Sequence, residues 1–269
     1  MTDDEVAVAI EENVAEFLLA LGRAGGGEER DVRGVAGRVR WTVGGSPIAY
    51  HNAVVRAELE DAGVEGAIEG FVERLRALGV PGSWHVGPST RPRDLCGRLE
   101  AHGFDRCEES SEPAMAASLE RLPEVAVPAG FSVERVREAG QLEGYRAVLA
   151  SGFGEGEPEA NWVCETYARI GLVDETSWRH YLGSIDGEAV STASVFHAAE
   201  VAGIYFVCTR PERRRLGIGA ATTLAAMRGA RDEGYGHAVL TSSAMGYRVY
   251  EELGFRELFT MFVPEIDPR

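Results

Sequence analysis

One short stretch occurs twice, and it constrains the fold more than any other feature. ArgLeuGluAlaHisGlyPhe at 98–104 and ValTyrGluGluLeuGlyPhe at 249–255 share a glutamate and a terminal Gly-Phe, and each closes a helical pattern. Around both, the hydropathy pattern runs strand, helix, strand, helix, Gly-Phe, strand, so the 269 residues read as two copies of one unit with the first shortened. A match this short also arises by chance, and the element order is what favours duplication. Between the copies, residues 121–130 carry Pro123, Pro128 and Gly130. A linker there divides the chain into domains 1–124 and 125–269.

In the first half the spacing of Val6, Ile10, Val14, Phe17 and Leu18 predicts an amphipathic helix over 3–22. Strand-like runs follow near 34–43 and 48–57, joined by GlyGlySerPro as a hairpin turn. Helices fit 62–79 and 92–102, and strands fit 83–86 and 114–120. In the second half, strands are expected near 131–136, 178–184, 189–197, 201–208, 237–242 and 256–263. Helices are expected near 139–152, 159–170, 217–233 and 246–253. The fold class is therefore α+β (α/β), with a mixed sheet flanked by helices in each copy.

The formal net charge of −16 excludes a duplex-binding protein that relies on general phosphate neutralisation. All 27 basic residues are arginine, which excludes lysine nucleophiles and Schiff bases. Cys96, Cys107, Cys164 and Cys208 form no CxxC pair, so neither a disulfide framework nor a structural zinc is expected and all four are read as reduced. No basic leader and no apolar run of membrane-spanning length is evident, so a cytoplasmic protein without nucleic-acid or membrane partners is expected.

Chemistry concentrates after the run 201–208. Thr209 to Glu212 lead into Arg213, Arg214, Arg215, Leu216, Gly217, Ile218, Gly219 and Ala220, and then a long helix. Bare glycine backbone beside a helix N-terminus suits a polyanion such as a pyrophosphate, and three arginines supply opposite charge in an acidic chain. A dinucleotide GxGxxG is absent because position 222 is Thr.

With ValTyrGluGluLeuGlyPhe about thirty residues further on, the stretch 214–219 resembles the GNAT superfamily of acyl-CoA-dependent N-acyltransferases, whose Q/R-x-x-G-x-G/A motif it matches in full. The resemblance covers about 131–263 and is weak in the first half, which looks like a degenerate copy. It implies two GNAT-like domains with mostly antiparallel sheets and a splayed parallel strand pair at the acyl-CoA site. By it, Val207, Cys208 and Thr209 offer backbone groups to the pantetheine arm from a bulged strand end. Arg214, Arg215, Leu216, Gly217, Ile218, Gly219 and Ala220 wrap the pyrophosphate, and one N–H near Val207 polarises the thioester carbonyl. Tyr250 takes the place of the tyrosine that protonates the departing thiolate.

The implied activity is N-acetyl transfer from acetyl-CoA to a small primary amine, with no metal. Self-association into a homodimer is compatible with it. Two departures stand out: Ser243 replaces a frequent asparagine as a cofactor contact, and Gly246 stands where alanine is usual. Gly203 takes the place of the glutamate base found in the histone-type branch. A base must then come from His197, Glu200, Tyr205 or a water chain, while Glu155, Glu157 and Glu159 are placed to steer a cationic amine.

The first copy has acidic residues and no arginine in its corresponding helix entry, AELEDAGVEGAIEG, and Leu99 where the second has Tyr250. One acyl-CoA per chain is therefore expected. The alternatives are a silent acyl-CoA sensor and a protein N-terminal or lysine acetyltransferase.

Overall fold

The structure is a computed structural model that describes residues 1–154 and 156–269; Glu155 lies outside the described residues. In chain order the elements are α1 (Asp3–Ala24), β1 (Glu28–Gly34), β2 (Gly37–Val43), β3 (Ala53–Leu59), α2 (Asp61–Leu78), β4 (Gly82–Trp84), α3 (Leu95–Ala101) and β5 (Ser111–Ser118). There follow β6 (Phe131–Arg135), α4 (Ala139–Gly152), α5 (Glu157–Ile170), β7 (Trp178–Ile185), β8 (Glu188–Ala198), β9 (Val201–Thr209), α6 (Ile218–Asp232), β10 (His237–Thr241), α7 (Tyr247–Glu252), β11 (Arg256–Phe262) and β12 (Glu265–Ile266).

Two compact units result, and neither is a continuous stretch. One takes Met1–Asn13 and Ala114–Leu258, the other Val14–Pro113 and Phe259–Arg269. The sequential division at 124/125 therefore does not follow the sheets: β5 pairs antiparallel with β10, and β12 pairs with β4. Sequence periodicity identifies a strand but not the neighbour it chooses.

In the larger unit the sheet has the order β11-β5-β10-β9-β8-β7-β6. Its strands alternate in the direction they face. Ser191 Oγ lies 2.6 Å from Thr222 Oγ1 of α6, whereas Ser194 Oγ meets the hydroxyls of Tyr145 on α4 and Tyr167 on α5 at 2.7 and 3.1 Å. Helix α6 thus covers one face and α4 with α5 the other. On the α6 face Ala193, Val195, Ile204, Leu224, Met227 and Leu240 are buried together. The turn joining β8 to β9 places Ala199 and Glu200 at φ 53° and 60°, the paired left-handed residues of a tight hairpin. Asn13 ties α1 to that hairpin, donating to the Phe196 and Ala198 carbonyls at 3.2 and 3.0 Å and accepting from the Tyr205 hydroxyl at 2.7 Å.

The smaller unit has the order β1-β2-β3-β4-β12. Its core packs Trp41, Phe71, Trp84 and Phe104, whose rings meet edge-on or tilted at 6.0 to 6.4 Å. One strand there lies outside the sequence expectation. The hairpin partner of β2 on one side is β1, absent from the sequence reading because its charged residues lack an apolar face. GlyGlySerPro opens the connection between the antiparallel pair β2 and β3, and Asn52 holds that connection by accepting from the Gly44 N–H and donating to the Ser46 and Pro81 carbonyls.

An expectation about sulfur is corrected. Cys96 in α3 and Cys107 form a disulfide, so the four thiols are not all reduced, while Cys164 and Cys208 are free and buried. Spacing rules built on metal pairs miss a bridge that depends on the chain doubling back after α3. Closing this 11-residue span restricts the unfolded chain and is expected to contribute roughly 2–3 kcal/mol. Denatured without reductant the chain should titrate two thiols, and after reduction four; four in both states would contradict the bridge.

Candidate active site

The site grows out of β9. This strand pairs parallel with β10 at Ala202 with Ala238 and Gly203 with Val239, and β10 ends at Thr241, so the parallel ladder does not continue along the rest of β9. On its other edge β9 pairs antiparallel with β8, but the register jumps from Tyr205 opposite Ser194 to Cys208 opposite Thr192. Phe206 and Val207 together face Ala193, which makes a β-bulge. Phe206 has φ 50°, a left-handed conformation that costs a non-glycine residue about 1 kcal/mol. The surroundings hold it there. Its carbonyl accepts from the Thr192 hydroxyl at 2.8 Å, and its ring packs on Phe153 and Tyr167 at 5.5 and 6.0 Å.

From Thr209 the chain turns through Pro211–Arg213 into α6, and the arginines divide their work. Arg213 pairs with Glu188 at 3.2 Å. Arg214 donates to the Thr209 carbonyl at 3.2 Å and the Gly152 carbonyl at 3.0 Å, fastening the loop to the end of α4. Arg215 is exposed and forms no ion pair among the described residues; it too is left-handed, at φ 63°. Gly217 follows at φ 75°, with the Ala126 carbonyl where a side chain would begin. Thr209 Oγ1 approaches Gly219 in the same way. The first-turn N–H groups of α6 at Ile218, Gly219 and Ala220 have no intrahelical acceptor, so they face outward as a positive helix end.

Helix α7 begins beside Ser243. The serine hydroxyl and carbonyl both receive the Gly246 N–H, at 3.3 and 3.1 Å, so its side chain acts locally as a helix cap. Four residues past Gly246 comes Tyr250, half-buried against Phe255 with ring centroids 5.7 Å apart. Its hydroxyl makes no hydrogen bond among the described residues, and burial pushes the phenol up to about 12, so it keeps its proton at neutral pH. The Tyr250 ring occupies the space a methyl on residue 246 would need, which explains the glycine there. Gly246→Ala is expected to displace the ring and lower turnover roughly tenfold, with little change in coenzyme A affinity; unchanged turnover would show that the ring position is not critical.

The candidate bases fall elsewhere. His197 lies on the α6 side, 3.5 Å from Glu233 and stacked on Tyr235 at 4.2 Å, and burial lowers its pKa against the pull of Glu233. The Tyr205 hydroxyl is committed to Asn13, and Glu200 is exposed in the hairpin turn. Cys208 is buried, its thiol pushed up to about 12, and is no nucleophile. Of the three glutamates near α5, Glu157 is exposed, Glu159 is buried with its carboxylate against Gly154, and Glu155 lies outside the described residues.

The sequence reading missed a buried polar hub under the bulge. Ser194 Oγ meets Tyr145, Tyr167 and His180 Nδ1, the last at 2.8 Å, and burial lowers His180 to about 3. The alternation of β7 and β8 carried the signal, since Ser194 and His180 fall on positions that a sheet face buries. Among the described residues no group of three or more His, Cys, Asp or Glu could hold a metal ion, and no helix is long and apolar enough to cross a membrane.

The smaller unit offers no comparable anion site. Its parallel pair is Ala53 with Ser83 and Val54 with Trp84, and the helix after β3 opens on Glu60 and Asp61, which would repel phosphate. Leu99 is fully buried in its core.

Residues 144–255 match the acetyltransferase (GNAT) family. Mycothiol acetyltransferase of Acidothermus cellulolyticus is 26% identical over 156 residues, 50% of this chain and 47% of that protein, so the chain matches about half the length of this curated relative. A GCN5-related N-acetyltransferase from Kribbella flavida superposes with a TM-score of 0.72 over 95% of this chain and 96% of that one, at 23% identity. A tandem GNAT protein from the clavulanic acid biosynthesis pathway gives a TM-score of 0.60 over 90% and 84%, at 16% identity. These structural likenesses bear on the fold, a mixed α+β GNAT architecture with two sheets.

Proposed function

We propose, on the premise that residues 144–255 belong to the GNAT acetyltransferase family, that this protein transfers an acetyl group from acetyl-CoA to the primary amine of a small molecule. The observation that carries the reading is the end of the parallel β9–β10 ladder at Gly203, followed by the Phe206–Val207 bulge and the open N-terminus of α6. Gly217, Ile218, Gly219 and Ala220 would hold the pyrophosphate through backbone N–H groups, with Arg215 adding charge. Val207, Cys208 and Thr209 would line the pantetheine arm. In the reaction the neutral amine nitrogen bonds to the acetyl carbon, the carbon–sulfur bond breaks, and Tyr250 gives its proton to the departing sulfur. A backbone N–H at Val207 would stabilise the developing oxyanion. The amine's surplus proton leaves to water, since His197 and Tyr205 are engaged elsewhere.

The likeness to mycothiol acetyltransferase over half of the chain supports including precursors of mycothiol among the acceptors to try. Acetyl-CoA consumption measured against amino acids, polyamines, aminoglycosides, mycothiol precursors and basic peptides tests the reading. Turnover with a small amine is expected. Turnover confined to peptides would favour a protein acetyltransferase, and binding without turnover a sensor.

A further inference from the structure

The peptide unit between Phe206 and Val207 is planar and trans, so its carbonyl and its N–H point in opposite directions. The carbonyl end is fixed: Thr192, itself fully buried on β8, donates its hydroxyl proton to the Phe206 oxygen at 2.8 Å. The N–H of Val207 then points away from the Thr192 hydroxyl, at a part of β9 that lies beyond its paired stretch with β10. In an unbroken ladder the Phe206 carbonyl would lie in the plane of the sheet, out of reach of a side chain standing off the face. Here Thr192 pairs in register with Cys208 and reaches back across the bulge. The left-handed φ of Phe206 and the lodging of its ring between Phe153 and Tyr167 complete the restraint.

We infer that Thr192 is a positioning residue for acyl transfer: by holding the Phe206 carbonyl it aims the Val207 N–H at the thioester oxygen. This inference rests on the acetyl-transfer reading above. The hydroxyl, rather than the bulk of the side chain, is the active feature. Thr192→Val keeps the shape and removes the donor, whereas Thr192→Ser keeps the donor.

Two measurements on the full chain test it. With the best amine acceptor, Thr192→Val is expected to lower kcat roughly 10- to 100-fold while its dissociation constant for coenzyme A stays within about threefold, and Thr192→Ser should restore wild-type kcat. Independently of any acceptor, saturating acetyl-CoA should slow hydrogen exchange at the Val207 amide in wild type and Thr192→Ser but not in Thr192→Val. Wild-type kcat and amide protection in Thr192→Val would overturn the inference and leave the acetyl-transfer reading intact. Loss of kcat with equal loss of coenzyme A affinity, unrescued by serine, would also overturn it, as a general packing defect. A wild-type protein that binds no acetyl-CoA would overturn both.

Discussion

Tyr250→Phe is expected to lower kcat at least about 100-fold and to leave the dissociation constant of coenzyme A within about twofold. The exchange removes one oxygen from a ring that packs on Phe255, so the hydrophobic contacts of the residue persist. That oxygen makes no hydrogen bond among the described residues, so its loss leaves no partner unsatisfied. A purely structural tyrosine would therefore tolerate the change. An acid would not, because the departing thiolate then has no proton donor beside it. With its phenol held near 12, Tyr250 stays protonated far above neutral pH, and no alkaline loss of rate assignable to it is expected below about pH 10. Steady-state kinetics with a calorimetric binding measurement separates the two parameters. A kcat within twofold of wild type would remove Tyr250 from the reaction.

Acid is expected to unfold the protein by a route that its acidic composition does not suggest. His51 and His85 in the smaller unit and His180 in the larger are fully buried and lowered to about 3, and His197 is also lowered by burial. A histidine whose folded pKa lies below its unfolded one binds more protons unfolded than folded between the two values. Its contribution is complete above about pH 6.5 and is lost as pH falls toward the folded value. At pH 5 each such group weakens folding by about 2 kcal/mol, and two per unit make about 4 kcal/mol against a total stability of roughly 5–15 kcal/mol. The melting temperature should fall by about 10 °C between pH 7.5 and 5. His85 supplies a specific control. Neither of its ring nitrogens has a partner among the described residues, so His85→Phe should flatten the acid limb without removing a hydrogen bond. A melting temperature constant to within about 2 °C over that range would contradict this assignment.

The second half was legible because its elements follow the two plain periods. Strands near 189–197 and 201–208 and the helix near 217–233 fall on β8, β9 and α6 within a few residues. The glycines at 217 and 219 were legible for a different reason: at Gly217 a left-handed backbone beside the Ala126 carbonyl leaves no room for a side chain, and at Gly219 the Thr209 hydroxyl makes the space tight. What the sequence could not show depends on tertiary neighbours. The exchange of β5 and β12 between sheets, the Cys96–Cys107 bridge and the Asn52 anchor each join segments whose local pattern says nothing of their partner. The arginines are a subtler case. Three in a row suggested one polyanion site, yet Arg213 and Arg214 hold the loop in place, and only Arg215 stands open toward solvent.

One acyl-CoA is proposed to bind per chain, at the N-terminus of α6. Calorimetric titration with coenzyme A tests it most directly, alongside Gly217→Ala, whose methyl would meet the Ala126 carbonyl from a left-handed backbone. The expected result is a single site in wild type and at least about tenfold weaker binding in the variant, equivalent to about 1.4 kcal/mol. Two equivalent sites per chain, or a single site that Gly217→Ala leaves unchanged, would contradict it.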